Sequence, residues 1–205
     1  MKMWRQRLQG PAIIAALVVA GTLHAQVRPA IAPIPSDTIE RRTFFSAALQ
    51  REMPYQVILP VGYGSGQQRY PVLFLLHGWQ GDETNWVTLT HLVQDASRYP
   101  LLIVTPRADN SWYVNSATQP ADRYANYIVQ DLVADVDAHF RSIATSHERA
   151  IAGLSMGGYG AMLFTLKHPD LFGFTASISG AFAGPTGVED VMPQLRQSTD
   201  VAFGP

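Results

Sequence analysis

The pentapeptide Gly153-Leu154-Ser155-Met156-Gly157 has the residue types and spacing of a serine nucleophile. It fits the pattern G-x-S-x-G, in which a strand ends, the serine occupies a sharp turn and a helix begins. Glycines at positions 153 and 157 relieve the crowding that such a turn creates. A hydroxyl held in this way can attack a carbonyl carbon and form a covalent intermediate. Ser155 is therefore the candidate nucleophile.

Attack on a carbonyl also requires hydrogen-bond donors for the oxygen that becomes negative. The backbone N–H of Met156 opens the helix after the serine, where the helix dipole reinforces it. A second donor is expected from loop 77–81, in which Gly78 lets the backbone turn its amides towards the serine. We predict that the backbone N–H of Trp79 is this donor, with that of Gln80 as the alternative.

The segments around the motif alternate between strand-like and helix-like patterns, which predicts a layered α/β fold. Short continuous apolar runs at 72–76 and 101–105 are typical of parallel strands covered by helices on both faces. The predicted strands are 43–49, 55–59, 72–76, 101–105, 150–154 and 174–179, with a turn at 51–54, and the predicted helices are 91–98, 124–140 and 156–167.

The predicted helix 124–140 has the clearest pattern of the chain. Apolar residues recur at every fourth position from Tyr124 to Phe140, which indicates a long amphipathic helix. Its acidic residues are interpreted as the solvent-exposed face. These residues are Asp131, Asp135 and Asp137.

The composition excludes several classes of function. Hydrophobic residues make up 47% and charged residues 15% of the 205 positions, a balance typical of one globular domain. Fifteen basic and 16 acidic residues give a net charge of −1, so neither nucleic acid nor an anionic membrane is an expected partner. The absence of cysteine excludes disulfides and a thiol nucleophile. A small molecule is the expected ligand.

The amino terminus predicts a signal peptide at residues 1–25. Three basic residues precede an apolar run at 11–20 and a small-residue site that ends at Ala25. This run is shorter than the ~20 residues of a membrane-spanning helix, so no stable membrane anchor is expected. A proline-containing linker at 26–36 and one α/β domain at 37–205 would follow. We expect the mature protein to be secreted or periplasmic.

Several ordered motifs carry a family resemblance over residues 43–181. They are LLHGW from Leu75, NSWYVNS from Asn110, AIAGLSMGGYGAM from Ala150 and KHPDLFG from Lys167. With these motifs the chain resembles the esterase D, feruloyl esterase and mycolyltransferase branch of the α/β-hydrolases. The resemblance implies a mostly parallel sheet with helices on both faces and a Ser–Asp/Glu–His triad. It also implies an acyl-enzyme on Ser155, an oxyanion bound by Trp79 and Met156, and neither metal nor organic cofactor.

The chain departs from the family pattern after the serine. In α/β-hydrolases the acid and the histidine follow the nucleophile in chain order. No histidine follows His168, which would lie about 18 Å from Ser155 at the other end of the predicted helix. The acidic residues that follow the segment KHPD are Glu189, Asp190 and Asp200. We expect the triad acid and histidine to lie beyond Pro205.

A domain truncated in this way would have an incomplete sheet. Strand 174–179 would then be an exposed apolar edge, which promotes aggregation. We therefore expect the 205-residue chain to express poorly and to be inactive by itself.

Three further groups of residues have alternative interpretations. Trp112 and Tyr113 either line the substrate pocket, with Asn110 and Asn115 as polar contacts, or pack on the core. His77 is either a base or a structural residue of its loop, and the structural role is favoured. The remaining group is interpreted as helix-capping residues in preference to a cation site, and it consists of Asp82, Glu83 and Asn85.

These expectations together describe an exported serine carboxylic-ester hydrolase. It would act on short-chain acyl esters or on acyl groups of carbohydrates. Export disfavours a glutathione thioester as substrate, because that substrate belongs to the intracellular thiol pool. Two alternatives are an acyltransferase, which shares the acyl-enzyme, and an inactive relic that keeps the cleft as a binding module.

Overall fold

The computed structural model describes residues 38–183 and 192–204 of the chain. The predicted signal peptide at 1–25, the linker at 26–36, Glu189 and Asp190 lie outside the described residues. No helix in the described part is long and apolar enough to cross a membrane.

One six-stranded sheet organises the described residues. Its strands are β1 (Ile39–Ser46), β2 (Arg51–Ile58), β3 (Val72–Leu76), β4 (Leu102–Pro106), β5 (Arg149–Leu154) and β6 (Phe174–Ile178). Their order across the sheet is β1-β2-β4-β3-β5-β6. The pairs β1/β2 and β2/β4 are antiparallel, and the pairs β4/β3, β3/β5 and β5/β6 are parallel. The mostly parallel α/β sheet confirms the predicted fold class.

Helices cover both faces of this sheet, as predicted. They are α1 (Asn85–Thr88), α2 (Leu92–Ala96), α3 (Tyr124–Asn126), α4 (Val133–His139), α5 (Met156–Lys167) and α6 (Arg196–Phe203). One face carries the large core, which includes Ile128 and Phe164. The other face carries a smaller core, in which Val93 of α2 packs with Leu75 and Ile103.

The first hairpin turns earlier than predicted. Its turn occupies residues 47–50, and β2 runs straight through Pro54, so the predicted turn at 51–54 is wrong. The carbonyl of Pro54 accepts the N–H of Arg107, which shows that its backbone faces β4 and not β1. Pairing of β2 with β4 begins one residue later, at Tyr55, so the missing proline N–H removes no bond of the ladder.

The predicted helix 124–140 is present, but its acidic residues do not form a free solvent face. A π-helical segment, Tyr127–Leu132, joins α3 to α4. Asp131 accepts hydrogen bonds from the Ser46 hydroxyl at 2.6 Å and from the backbone N–H of Ala48 at 2.8 Å. Asp135 accepts the hydroxyl of Tyr55.

Asp137, the third acidic residue of this helix, is also paired. It lies 2.7 Å from the guanidinium of Arg149 at the start of β5, and it accepts the hydroxyl of Ser142 at 2.6 Å. These carboxylates therefore connect the helix to β1, β2 and β5. The interpretation of the acidic residues as solvent-exposed was wrong.

Strand β6 lies at the edge of the sheet. Among the described residues it pairs only with β5. The side chains of Phe174 and Ile178 are 61% and 46% exposed. An exposed apolar edge is what the sequence predicts for this strand, and its effect on aggregation stays a prediction.

Candidate active site

Ser155 lies on a tight turn between β5 and α5. Its backbone has φ 54° and ψ −114°, a conformation that costs a non-glycine residue about 1–3 kcal/mol. The hydroxyl does not cap α5, although serine is a preferred N-cap residue. Its backbone N–H donates to Ile178 at 2.9 Å, and its carbonyl accepts the N–H of Ala181 at 3.1 Å. The main chain around β6 therefore holds the turn in place.

The two glycines of the motif allow close backbone contacts. A Cβ atom at Gly153 would lie 2.4 Å from the carbonyl carbon of Gly157. A Cβ atom at Gly157 would lie 2.5 Å from the Leu76 carbonyl oxygen and 2.6 Å from that of His77. The serine turn thus packs directly against the end of β3 and the loop that follows it.

Loop 77–81 faces the serine. A Cβ atom built on Gly78 would lie 3.7 Å from the Cβ of Ser155. The backbone N–H of Gln80 donates to the side-chain oxygen of Asn110 at 2.7 Å. The Trp79 N–H donates to no backbone or side-chain acceptor among the described residues. This geometry favours Trp79 over Gln80 as the loop donor, beside the Met156 N–H at the start of α5.

Both ring nitrogens of His77 are engaged. Nε2 accepts the backbone N–H of Ala108 at 3.0 Å, so Nδ1 carries the proton and donates to the Gly78 carbonyl at 2.7 Å. The side chain is 2% exposed. The geometry therefore supports a structural role, in which His77 fixes the loop that faces Ser155.

His77 should make the stability of the fold depend on pH. Burial lowers the pKa of its imidazole, and the carboxylates of Asp82, Asp109 and Glu83 oppose this shift in part. The folded state thus binds the proton less readily than the unfolded chain. The contribution of neutral His77 to stability is fully present above the ordinary histidine pKa of about 6.5. This contribution is lost as the pH falls below that value. We expect urea unfolding to give a lower free energy of unfolding at pH 5 than at pH 7.5.

The contribution of His77 is separated by a variant that cannot titrate. His77→Gln should flatten the profile of unfolding free energy between pH 5 and 7.5. His91→Gln, at an exposed histidine beside α2, should keep the wild-type slope. Equal slopes in the wild type and in His77→Gln would contradict this assignment.

Trp112 and Tyr113 belong to the core. They are 1% and 0% exposed, and both have positive φ angles, of 56° and 58°. Trp112 donates from Nε1 to the Ser198 hydroxyl at 3.1 Å, and the Tyr113 hydroxyl donates to the His77 carbonyl at 3.0 Å. The structure therefore favours core packing over the predicted substrate contact, because neither side chain lines a described cavity near Ser155.

Residues with strained backbone conformations cluster at one edge of the sheet. Because β3, β4, β5 and β6 are parallel, their carboxyl ends meet there. A non-glycine residue with positive φ follows each of these strands. These four residues and their φ angles are Gln80 (61°), Asp109 (44°), Ser155 (54°) and Ser179 (48°). Such residues cluster at functional sites, so this edge is the candidate active site.

The acidic group after loop 77–81 forms a hydrogen-bonded turn before α1, but Thr84, the N-cap residue, makes no side-chain capping hydrogen bond, so the capping interpretation stays a prediction. One carboxylate oxygen of Asp82 accepts both the backbone N–H and the hydroxyl of Thr84, at 2.8 and 2.7 Å. The side-chain oxygen of Asn85 accepts the backbone N–H of Asp82 at 2.5 Å. Within residues 38–183 and 192–204, no cluster of three or more potential metal ligands occurs.

Two cavities flank the loop at Trp79. The larger, of about 320 Å³, is lined mostly by polar residues and is bordered on one side by α6. The smaller, of about 210 Å³, is mostly apolar and includes Trp86, Leu89 and Leu154. The larger cavity is lined by Trp79, Asp109, Asn110, Ser111, Asp122, Tyr124, Gln194, Gln197, Ser198 and Val201. Sequence patterns gave no signal for Gln194, for Gln197 of α6 or for Asp122, because the fold brings them here from distant segments.

The other polar residues considered from the sequence lie elsewhere. Asn115 bonds to Asn126 at 2.6 Å and lines neither cavity. His168 is the C-cap of α5, at the opposite end of that helix from Ser155. Neither His77 nor His168 is thereby placed to serve the Ser155 hydroxyl.

The sheet, the serine turn and the facing loop define a protein of the α/β-hydrolase class. The family model described as Putative esterase matches residues 46–194. The chain belongs to this family.

Individual relatives agree with this assignment. The chain is 32% identical over 165 residues to an endo-1,4-beta-xylanase/feruloyl esterase of Xylanibacter ruminicola, covering 74% of the chain and 23% of that protein. A solved ferulic acid esterase is 29% identical, with a TM-score of 0.63, over 69% of this chain and 58% of the other. FphF, a fluorophosphonate-binding serine hydrolase of Staphylococcus aureus, is 26% identical, with a TM-score of 0.69, over 81% and 65%. The chain thus spans less than two thirds of the length of each of these relatives.

Proposed function

We propose that the protein is a serine carboxylic-ester hydrolase with Ser155 as its nucleophile. The observation that carries the proposal is the strained turn at Ser155, whose side chain faces loop 77–81. Such strain persists only where the surrounding structure enforces it, and here it keeps the hydroxyl out of the helix cap. Membership in the Putative esterase family supports the same activity.

The reaction follows from the groups around the turn. The Ser155 oxygen attacks the ester carbonyl carbon while a base takes the hydroxyl proton, and the carbonyl oxygen becomes negative. The N–H groups of Trp79 and Met156 stabilise this oxyanion. Collapse breaks the bond to the alcohol, which leaves with the proton, and the acyl group stays on Ser155. Water then attacks the acyl-enzyme, releases the acid and restores the hydroxyl.

The base and the acid of the triad are proposed to lie outside the described residues, beyond Pro205 as the sequence predicts. His77 has both ring nitrogens bonded, and His168 is at the far end of α5. Neither can take a proton from Ser155. The activity proposed here is therefore that of the full-length protein.

The substrate is proposed to be a short-chain acyl ester or an acyl ester of a carbohydrate. The name of the Xylanibacter relative combines a xylanase with a feruloyl esterase, which supports a carbohydrate ester. The predicted signal peptide at 1–25 supports action outside the cytoplasm. An amino terminus at Gln26 in the mature protein, read by mass spectrometry, would test the export.

Labelling with a fluorophosphonate probe tests the nucleophile. The probe bonds to a serine that is activated by a base, and one structural relative is named for binding it. We expect the full-length protein to be labelled and Ser155→Ala to be unlabelled. A Ser97→Ala control, at an exposed serine that ends α2, should be labelled like the wild type. Equal labelling of Ser155→Ala and the wild type would refute the assignment.

A further inference from the structure

Residues 78–81 of the loop that faces Ser155 form a tight turn. The backbone N–H of Gly81 donates to the carbonyl of Gly78 at 3.0 Å, which closes the four residues as a β-turn. Gln80, the third residue of the turn, has φ 61°, whereas Trp79, the second, does not have a positive φ. This combination is that of a type II turn. The commoner type I turn has negative φ at both positions, and its central peptide faces the opposite way.

The residue at the third position does not favour the type II form by itself. Type II turns have glycine or asparagine there, because a larger side chain is sterically hindered at positive φ. Gln80 lacks this freedom, so the turn in isolation would favour type I. A contact from outside the turn must therefore stabilise the observed form.

The side chain of Asn110 supplies this contact. Its oxygen accepts the backbone N–H of Gln80, which belongs to the central peptide, at 2.7 Å. Within residues 38–183 and 192–204, this is the one hydrogen bond that joins residues 79–81 to a part of the chain outside the loop. In a type I turn the N–H would face away from Asn110, and the bond would be lost. One hydrogen bond and one strained residue are similar in free energy, so this bond selects between the two forms.

The backbone that carries Asn110 is itself fixed. Asp109, directly before it, has φ 44°, and its carboxylate lies 2.9 Å from the guanidinium of Arg107. The N–H of Ser111, directly after it, donates to the carbonyl of Ala108 at 3.3 Å. A side chain on a backbone held in this way can impose its geometry on a neighbouring loop.

Hydrogen bonds orient both peptide units that flank the Cα atom of Trp79. The unit before it contains the Trp79 N–H and the carbonyl of Gly78. This carbonyl accepts the N–H of Gly81 and, at 2.7 Å, the Nδ1–H of His77. The unit after it is the central peptide, which Asn110 binds. Because each peptide unit is planar, these bonds together set the direction of the Trp79 N–H.

We propose that Asn110 is a positioning residue of the esterase, which holds turn 78–81 in the type II form and thereby aligns the Trp79 N–H with the carbonyl oxygen that becomes negative. Asn110 acts through Gln80 and not on the reacting atoms. The proposal rests on the proposed esterase function. A bond that only stabilised the fold would affect unfolding, and a contact to substrate would affect KM, whereas a loss of alignment lowers kcat.

The substitution Asn110→Ala in the full-length protein tests this role, with 4-nitrophenyl acetate as substrate. We expect kcat to fall about tenfold with less than about a twofold change in KM, a smaller loss than the roughly 10²–10³ for an oxyanion donor removed outright. The urea midpoint of unfolding should not change, because Gln80 and Asn110 are both exposed. Asn115→Ala is the matched control. Asn115 is an exposed asparagine of the same connection that bonds to Asn126, and its variant should behave like the wild type.

A second substitution separates positioning from the other roles. Glycine adopts a positive φ without strain, so Gln80→Gly favours the type II turn in the absence of the Asn110 bond. We expect the double variant Asn110→Ala/Gln80→Gly to recover kcat to within about threefold of the wild type. Glycine at position 80 would restore nothing if Asn110 acted by contact with the substrate.

Hydrogen exchange of the Gln80 amide measures the bond without a substrate. Exchange should be faster in Asn110→Ala than in the wild type and unchanged in Asn115→Ala. An unchanged kcat in Asn110→Ala, or a double variant as slow as Asn110→Ala, would overturn the proposal and leave the esterase function in place. If the wild type hydrolyses no ester, the esterase function fails, and exchange still decides the turn. Faster exchange in Asn110→Ala would then support the role of Asn110, and unchanged exchange would overturn it.

Discussion

Replacing Ser155 by alanine should lower kcat for ester hydrolysis by about four to six orders of magnitude in the full-length protein, because no acyl-enzyme can form without the hydroxyl. The free energy of unfolding should change by less than about 1 kcal/mol. Alanine at position 155 meets the same backbone strain as serine, and the lost hydroxyl does not cap α5. Steady-state kinetics and urea unfolding of the same preparation measure both quantities.

Ser97→Ala is the matched control for this experiment. The Ser97 hydroxyl donates only to the Gln94 carbonyl at the end of α2. Wild-type kcat in this variant would show that removing a serine hydroxyl has no general effect. A fall of less than tenfold in Ser155→Ala would assign the nucleophile to another residue.

Replacing Gly157 by alanine should damage both the fold and the reaction. The new methyl group would lie 2.5 Å from the Leu76 carbonyl oxygen and 2.6 Å from that of His77. These are backbone atoms, so α5 or loop 77–81 must move to relieve the contact. We expect a loss of stability of about 1–3 kcal/mol, as for overpacking of a dense core. We also expect kcat to fall about a hundredfold, since a displacement near 1 Å misaligns the reacting groups.

Gly64→Ala is the control for the glycine variant. A Cβ atom at Gly64 meets nothing within 4 Å, so this substitution should change the unfolding free energy by no more than about 0.5 kcal/mol. Urea unfolding and kcat of both variants give the comparison. If Gly157→Ala were as stable and as active as Gly64→Ala, the close packing of the serine turn on β3 would be disproved.

Local sequence patterns were sufficient for the centre of the fold. Strand β3 and helix α5 have the predicted boundaries, because a continuous apolar run marks the strand and Pro169 ends the helix. The hairpin was placed wrongly because proline is usually a turn residue. Pro54 is tolerated in β2 for a reason that sequence does not show, namely that pairing with β4 begins only at Tyr55.

Side-chain partners from distant segments could not be predicted in the same way. The apolar face of helix 124–140 follows from its period, whereas the roles of Asp135 and Asp137 depend on Tyr55 and Arg149 in other elements. At the active site, too, only the residues of a local motif could be predicted. Ser155 lies in a local motif with a strand before it and a helix after it, and its position followed from that motif alone.

The larger cavity, in contrast, contains only Asn110 among the residues that were considered as substrate contacts from the sequence. It combines residues after β4 with Gln194 and with Gln197 of α6, which approach each other only in the folded chain. The orientation of the Trp112 and Tyr113 side chains could not be predicted from the sequence either. Their position in a loop after a strand suggested a ligand contact, but positive φ angles turn both side chains into the core.

The main-chain bonds of Ser155 have a consequence for how the protein responds to mild perturbation. The N–H of Ser155 donates to Ile178 at the end of β6, and its carbonyl accepts the N–H of Ala181 after β6 and that of Tyr159 in α5. Marginal strands open more readily than central ones, since fewer contacts hold them. Within the described residues, opening of β6 would therefore remove two of the main-chain bonds that hold the Ser155 turn, while the pairs β4/β3 and β3/β5 stay intact.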